Sequence, residues 1–569
     1  MQKTRLRAAI LNAADRNAAL VIKNAKIVNV FTEEIIPGDV AIRDGIIIGV
    51  GSYQGKVEID AKGGYLCPGL IDGHMHIESS MAHPSRFAEI VLEKGTTSIV
   101  ADPHEIANVC GADGIQYMLD QTEWLPLSVF LMMPSCVPCT AFETSGAKLT
   151  ARDMEPFMAH NRVLGLGEVM DYIATVEGDG EMLDKLHLFR HHPIDGHAPL
   201  LSGDALNAYC VAGPHTDHEC INYDEFKEKL RKGLRLHLRL GSASRGIDSI
   251  MEGIVRDRLP TRRIMLCTDD KHLANIRDEG HINYILRRAV SHGIDPIHAL
   301  QMATINTANT YGLRHYGAVA PGYRADLVVF DNLQDFNAQI VITDGKLFEP
   351  SSGAHSHIKP DPKIYNSVHL APRRPEQLHL PIHGPARIIR LLPNELTTAL
   401  DIEEVPTENG FFQPGNGLCK LAVVERHHAS GRIGVGIVRG FSLTGGAIAT
   451  TVGHDSHNLI VCGDNDADML YAVDVLEECG GGFVVVSRGA VLAKLVLPVA
   501  GLMSDAPLDI ILRDQRALLN AVRTLGVETD SDPFITLSFL ALPVIPAVRL
   551  TDMGLFDVTN MTFFDRNTY

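Results

Sequence analysis

The feature that most constrains the fold is an alternation, over residues 66–316, of short apolar runs with stretches of helical pattern. Between the runs lie predicted helices such as Pro84–Lys94, Ala112–Gln121, Tyr223–Lys232 and Ile282–His292. The eight runs, of which six end in a histidine or an acidic residue, are Leu66–His76, Thr97–Asp102, Leu127–Pro134, Val163–Glu168, Ile194–His197, Val211–His218, Leu234–Leu240 and Arg263–Asp269. Eight strand–helix repeats in about 250 residues are typical of a (β/α)8 barrel, an α/β fold.

Short β-strand patterns on both sides of this segment predict further domains. Residues 1–65 begin with an amphipathic helix over Ala8–Leu20 and continue as strands. Strand patterns of the same character return in 317–365, which also holds the start of a linker. We therefore expect the 66–316 barrel to be inserted in a small split β-sandwich. Residues 366–569 mix strands and helices and are predicted to form a separate α+β domain.

Ionisable residues stand where several predicted strands end. His74 and His76 leave the first strand, and the strand period of two puts both imidazoles on one face. Such a triplet also arises by chance in a chain with 26 histidines, so a site needs further ligands. Barrel strands end at a common rim, so later strand ends can supply them. The residues at those ends are Glu168, His197, His215 or His218, and Asp269 or Asp270.

A set of imidazoles and carboxylates of this size suits a pair of divalent metal ions. A bridging carboxylate would keep two cations about 3.5–4 Å apart. No cysteine is among the ligands, and such sets accept zinc, iron or manganese. The ions would lower the pKa of bound water to roughly 7. A strand-end aspartate could then accept a proton and return it to a leaving group. The sequence predicts metal-assisted hydrolysis.

A different zinc chemistry competes with this interpretation. The H-x-E triplet at 76–78 and the C-x-x-C at 136–139 resemble the H-x-E…P-C-x-x-C signature of zinc nucleobase deaminases. Here Ser135 replaces the proline before the first cysteine. That site would also leave Glu168 and His197 without a role. The two-metal site is therefore favoured.

Several longer motifs resemble a known family. Residues 68–76, Pro-Gly-Leu-Ile-Asp-Gly-His-Met-His, resemble the first-strand motif of the amidohydrolase superfamily, and the extension through Ser80 resembles its adenine deaminase branch. Further stretches agree: Ala101–Gly111, Met133–Pro138, Gly165–Asp171, Ile194–Pro199, Asp217–Cys220, Thr268–His272, Gly453–Asn458 and Leu497–Asp505. The resemblance implies hydrolysis of adenine to hypoxanthine and ammonia, a purine-salvage reaction. It also implies two divalent ions, with manganese or iron favoured and zinc possible.

The resemblance assigns roles to individual residues. The implied metal ligands are His74, His76, Glu168, His197, His218 and Asp269. Of these, Glu168 would bridge the ions and Asp269 would also shuttle the proton, so that both are catalytic. His215 lies outside the matching motif, and His218 is preferred. Four further groups at the rim would contact substrate or support the ligands: Glu78, His104, Glu105 and Asp270.

One position departs from the family pattern. The family usually reads Arg-Glu-Gly-Ser-Ala after the seventh strand, whereas residues 239–243 read Arg-Leu-Gly-Ser-Ala. Leu240 would then replace an acid near the rim, which could weaken activity or shift the substrate. Two alternatives follow: another amidohydrolase acting on a related aminopurine or a cyclic amide, as a hydantoinase does, and a metal-binding paralogue with reduced turnover.

Composition limits the partners and the cellular compartment that we expect for this protein. With 51 Lys+Arg against 69 Asp+Glu, the net charge of −18 disfavours nucleic acid and anionic membranes as partners. The N-terminus lacks the apolar core of a signal peptide, and no apolar run is long enough to span a bilayer. We expect a cytoplasmic homo-oligomer with reduced cysteines that acts on a small molecule. The predicted C-terminal domain contains four further histidines of interest: His427, His428, His454 and His457. We favour buried side chains with satisfied hydrogen bonds for them over side chains that face the barrel mouth or a neighbouring subunit.

Overall fold

The computed structural model describes residues 3–242, 246–350, 361–393, 395–527 and 532–565. The predicted N-terminal helix is present but ends at Asp15 rather than Leu20, because the chain from Asn17 onward pairs as a strand. The first elements are α1 (Lys3–Asp15), β1 (Asn17–Asn29), β2 (Glu34–Arg43), β3 (Ile46–Gly51), β4 (Gln54–Asp60) and β5 (Tyr65–Pro68).

A ring of eight short strands follows. Strands β6 to β10 form one parallel sheet and β11 to β13 a second. A parallel bridge between Met75 and Asp269 joins β6 to β13. Between β10 and β11, where the two sheets meet again, the backbone N–H of His215 donates to the carbonyl of Ile194 at 3.1 Å. The predicted (β/α)8 barrel is confirmed. Its strands are β6 (Leu70–Met75), β7 (Thr96–Ala101), β8 (Ser128–Met133), β9 (Val163–Val169), β10 (Ile194–Gly196), β11 (Thr216–Asp217), β12 (Arg235–Arg239) and β13 (Ile264–Cys267).

Two of the predicted strands differ from the observed ones. The first run divides, because β5 pairs outside the barrel and β6 starts only at Leu70. Glycine is needed at position 69, where the chain passes from β5 to β6, since a Cβ there would lie 2.1 Å from Thr97 Oγ1. The sixth run, Val211–His218, is a strand only at Thr216–Asp217. Its first residues complete a helix that ends at Ala212, and Val211 is exposed.

Helices connect the barrel strands. In one of them, Ile282, Ile285, Leu286 and Ala289 are buried, which is the spacing of an apolar helix face that packs on strands. The predicted helix over Ala112–Gln121 lies within a longer one that starts at His104. The helices are α2 (Pro84–Glu93), α3 (His104–Thr122), α4 (Ala151–Met154), α5 (Tyr172–Glu177), α6 (Gly180–Leu188), α7 (Gly203–Ala212), α8 (Tyr223–Arg231), α9 (Asp248–Asp257), α10 (Leu273–Asp278), α11 (Ile282–Ser291), α12 (Pro296–Met302) and α13 (Ile305–Thr310).

Strands from both sides of the barrel meet in one sheet. After the barrel come β14 (Leu327–Phe330), β15 (Ala338–Thr343) and β16 (Lys346–Leu347). The sheet order is β16-β15-β14-β5-β1-β2-β3, with β4 paired to β1. The split of this unit around the barrel is thus observed, whereas the second layer of a sandwich and the four domain boundaries stay predictions. Residues 351–360 of the predicted linker lie outside the described residues.

The C-terminal region is mixed α and β and packs on the barrel. Its largest sheet has the order β18-β17-β22-β21-β24-β23-β25-β26. Asp552 accepts from the backbone N–H of Thr144 at 2.9 Å, and Asn458 Nδ2 donates to the carbonyl of Thr144 at 2.8 Å. The elements are α14 (Pro362–Tyr365), β17 (Ala386–Leu391), β18 (Thr398–Glu403), β19 (Thr407–Glu408), β20 (Phe411–Phe412), β21 (Leu418–Val424), β22 (Ile433–Arg439), β23 (Ala447–Thr450), β24 (Leu459–Gly463), α15 (Asp466–Glu478), β25 (Gly482–Ser487), β26 (Ala490–Val496), α16 (Leu508–Thr524), α17 (Pro533–Phe539), β27 (Val548–Thr551), β28 (Gly554–Asp557) and β29 (Thr562–Phe563).

Within the described segments, no helix combines the length and apolar character needed to cross a bilayer.

Candidate metal centre

Glu168, near the end of β9, lies at the middle of a buried histidine–carboxylate cluster. Its Oε2 is 2.6 Å from His197 Nδ1 and 3.2 Å from His218 Nε2. Its Oε1 is 3.4 Å from His76 Nε2 and 4.0 Å from His74 Nε2. Each oxygen of one carboxylate therefore faces a different pair of imidazoles. A ligand that bridges two cations needs this arrangement.

Asp269 faces the same histidine pair from the end of β13. Its Oδ1 lies 3.0 Å from His76 Nε2 and 3.8 Å from His74 Nε2. The residue has a left-handed backbone with φ 56°, and its N–H donates to the carbonyl of His74 at 3.0 Å. Aspartate tolerates this conformation better than most residues. The neighbouring strand thus fixes the direction in which the carboxylate points.

Several ring nitrogens in the cluster have the environment of metal ligands. His74 Nε2 and His218 Nε2 are buried and make no hydrogen bond. A buried polar atom without a partner costs about 1–3 kcal/mol, a cost that a cation would remove. On His76, Nδ1 lies 2.8 Å from the carbonyl of Asp102, which turns Nε2 towards the two carboxylates. The donor set fits a divalent metal ion.

The two carboxylates at the centre are held in their ionised form. Burial by itself would raise the pKa of Glu168, but the charge and hydrogen bond of His197, together with the charge of His74, hold that pKa well below its usual range. Burial acts on Asp269 in the same way. There the Arg239 guanidinium and His76 keep the pKa well below its usual range. Both groups are therefore charged at neutral pH.

Sequence reasoning missed an ion pair beside the centre. Arg239 pairs with Asp269 and also with Glu219, whose Oε2 lies 2.9 Å from Arg239 Nη2. Glu219 Oε1 is 3.6 Å from His218 Nε2. Two features of the sequence point to this ion pair. Glu219 falls within the Asp217–Cys220 motif, and the period of two in β12 puts Arg239 on the same face as His237.

The structure also separates the alternatives that the sequence left open. His218 lies in the cluster, whereas His215 Nδ1 accepts from the backbone N–H of Ile194 at 3.3 Å, outside it. Asp269 lies in the cluster, and Asp270 accepts a hydrogen bond from the hydroxyl of Ser79.

The remaining rim residues surround the cluster. His104 connects two carboxylates, with Nδ1 3.4 Å from Glu168 Oε1 and Nε2 3.4 Å from Glu105 Oε1. Glu78 accepts from the backbone N–H of Ile106 at 3.2 Å, and burial raises the pKa of Glu78 to about 7. The structure thus brings all four predicted rim groups to the same end of the barrel.

The C-terminal histidines divide into two groups. His427 Nε2 lies 2.7 Å from the carbonyl of Ser456 and fits the favoured interpretation of a buried, satisfied side chain. His454 and His457 are buried and satisfied as well, and they also face the barrel rim, because both contact the Glu105 carboxylate, His454 at 2.7 Å. His428 Nε2 contacts the carbonyl of Ser145 at 3.0 Å.

Leu240 packs in the apolar core. Its side chain is buried in the large apolar core, and its N–H donates to the carbonyl of Cys267 at 3.1 Å. The preceding residue, Arg239, points to the metal centre. Leu240 follows directly after the end of β12, and its side chain packs in that apolar core.

The Leu240→Ala variant is accordingly expected to lose stability and keep its metal content. Removal of a buried leucine side chain costs about 2–5 kcal/mol. Chemical denaturation and metal analysis of both proteins would check this. Loss of a metal ion from a variant that is still folded would contradict the placement.

An eight-stranded barrel with such a cluster at its strand ends is typical of metal-dependent hydrolases. The amidohydrolase family profile matches residues 65–348, and the adenine deaminase C-terminal domain profile matches residues 395–562. The adenine deaminase of Nitratidesulfovibrio vulgaris is 48% identical, with 96% of each chain covered. Adenine deaminase 2 of Carboxydothermus hydrogenoformans is 46% identical, again with 96% of each covered. The adenine deaminase of Geobacillus kaustophilus is 46% identical over 97% of each. The chain belongs to the adenine deaminase family of amidohydrolases.

Proposed function

We propose that this chain hydrolyses adenine to hypoxanthine and ammonia. The observation that carries the proposal is the similarity to chains named adenine deaminase over 96% of the sequence. That similarity includes both the barrel, with its cluster around Glu168, and the C-terminal region that contacts the barrel rim.

The cluster supports an assignment of ligands for two divalent ions. His74, His76 and Asp269 would hold one ion, His197 and His218 the other, and Glu168 would lie between them. Histidine and carboxylate donors accept manganese, iron and zinc, and we favour manganese or iron from the family resemblance. When bound, the ions supply Lewis acidity and a water molecule whose pKa is lowered to roughly 7.

The side chains at the rim can then handle protons and orient the base. Asp269 would accept the proton of the attacking water and deliver it to the amine that leaves C6. Arg239 keeps Asp269 ionised before attack. Asp270 lines a small cavity beside the cluster together with Ser79, and it would hydrogen-bond a ring nitrogen of the purine. Glu78, His104 and Glu105 would contact substrate or orient the ligands.

No observation favours the alternative activities. The case for a related aminopurine, a cyclic amide or a paralogue with reduced turnover rested on Leu240, and this side chain lies in the apolar core.

We further propose a cytoplasmic homo-oligomer that serves purine salvage. All ten cysteines are free thiols, as in a reducing compartment, and the net charge of −18 suits a protein without nucleic-acid or membrane partners. Soluble enzymes of this size are commonly symmetric oligomers.

Incubation of the manganese-loaded or iron-loaded protein with adenine tests the activity. We expect equal amounts of ammonia and hypoxanthine, measured by an ammonia assay and by the change in purine absorbance. A fully loaded protein that releases no ammonia from adenine but opens a hydantoin ring would overturn the proposal.

A further inference from the structure

A cavity beside the metal centre is built from two distant parts of the chain. One wall comes from the barrel rim and the other from the C-terminal region. The barrel contributes Ser79, Ser242 and Asp270, and the C-terminal region contributes Val452, His454 and Phe539. The barrel alone therefore does not enclose this space.

The same C-terminal loop holds a rim carboxylate in place. Glu105, at the start of α3, is 2% exposed. His454 Nδ1 lies 2.7 Å from Glu105 Oε1, and His457 Nε2 contacts Glu105 Oε2. The contact between Glu105 and His454 joins residues 349 positions apart in the chain. Both oxygens of Glu105 are thus fixed by imidazoles that the barrel does not supply.

Packing fixes the orientation of His454 as well. Its ring stacks on Phe539, with centroids 4.4 Å apart and planes inclined by 18°. The backbone N–H of His454 donates to the carbonyl of Ser538 at 3.0 Å. One face of the imidazole is therefore covered by an aromatic ring while its Nδ1 edge meets Glu105. The side chain can hold Glu105 without moving itself, which is what a positioning group needs.

We propose that the C-terminal region completes the active site, and that His454 is a positioning residue that holds the Glu105 carboxylate at the barrel rim, where the substrate would bind. This inference rests on the proposed function, because it takes a purine as the ligand that binds at this rim. The base would then lie between groups from both parts of the chain. A barrel that lacked this loop would bind metal without holding the base in one orientation.

Two substitutions separate the hydrogen bond from the packing. His454→Phe keeps a ring against Phe539 and removes the nitrogen that meets Glu105. His454→Asn places an amide nitrogen on Cγ, where Nδ1 stands in histidine, and can still donate to Glu105. His428→Phe is the matched control, since His428 lies in the same region and contacts Ser145 instead.

The measurements are metal content, calorimetric affinity for hypoxanthine, and the kinetics of adenine hydrolysis. A hydrogen bond to a charged group is worth about 1.5–3 kcal/mol, which converts to a loss of about 10–100-fold. We expect His454→Phe to show this loss in hypoxanthine affinity and in kcat/KM with two metal ions retained. His454→Asn should recover most of it, and His428→Phe should match the unsubstituted protein.

The inference is overturned if His454→Phe binds hypoxanthine as tightly as the unsubstituted protein does, or if phenylalanine and asparagine give the same loss. It is also overturned if the metal-loaded, unsubstituted protein does not bind hypoxanthine. Binding of hypoxanthine without turnover of adenine would contradict the proposed function, while the affinities of the variants would still decide the role of His454.

Discussion

The Glu168→Ala variant is expected to hold fewer than two metal ions per chain and to lose measurable turnover. Glu168 presents Oε2 to His197 and His218 and Oε1 to His76 and His74. Without it, the imidazoles of the two sites would lose the anion between them, and two neighbouring cations would repel each other without a shared carboxylate. Metal analysis after dialysis, together with the adenine assay, would measure both effects.

Asp468→Ala provides the control for loss of a buried carboxylate. Asp468 accepts from the backbone N–H of Gly489 at 2.7 Å and lies in the C-terminal region. Its removal should lower stability and leave two ions bound. Retention of two ions in Glu168→Ala would contradict the bridging role of Glu168.

The second large effect is expected for Asp269→Asn. An amide does not accept and return a proton as a carboxylate does, and general acid–base catalysis contributes about 10²–10⁴-fold to a rate. We expect kcat to fall by about 10²-fold or more. The amide is also a weaker metal ligand than the carboxylate, which adds to the loss. The KM for adenine should change less. Steady-state kinetics at saturating metal would measure the two parameters separately.

The Asp270→Asn variant separates the role of Asp270 from that of Asp269. Asp270 lines the cavity rather than the metal cluster, so its loss should raise the KM for adenine more than it lowers kcat. A kcat for Asp269→Asn within tenfold of the unsubstituted protein would show that another group moves the proton.

Much of the site could be read from the sequence because barrel topology is simple. The predicted strands end in His74, His76, Glu168 and Asp269, and parallel strands of a barrel end at one rim. Local pattern was therefore enough to bring together candidate ligands that are far apart in the chain.

Local pattern failed where the backbone changes direction. The pattern of Leu66–His76 predicts one strand, yet the segment forms parts of two strands in different sheets, with Gly69 between them. The apolar character of Val211 suggested a strand, and the residue belongs to the exposed end of α7.

The sequence by itself determined the barrel and its ring of candidate ligands, because periodicity and strand ends are properties of neighbouring residues. Only the tertiary structure decided which side chains complete the centre. The Arg239–Glu219 pair, the burial of Leu240 in the apolar core and the contacts of His454 and His457 with Glu105 depend on how separate elements pack. Such contacts join residues whose local sequences carry no information about one another.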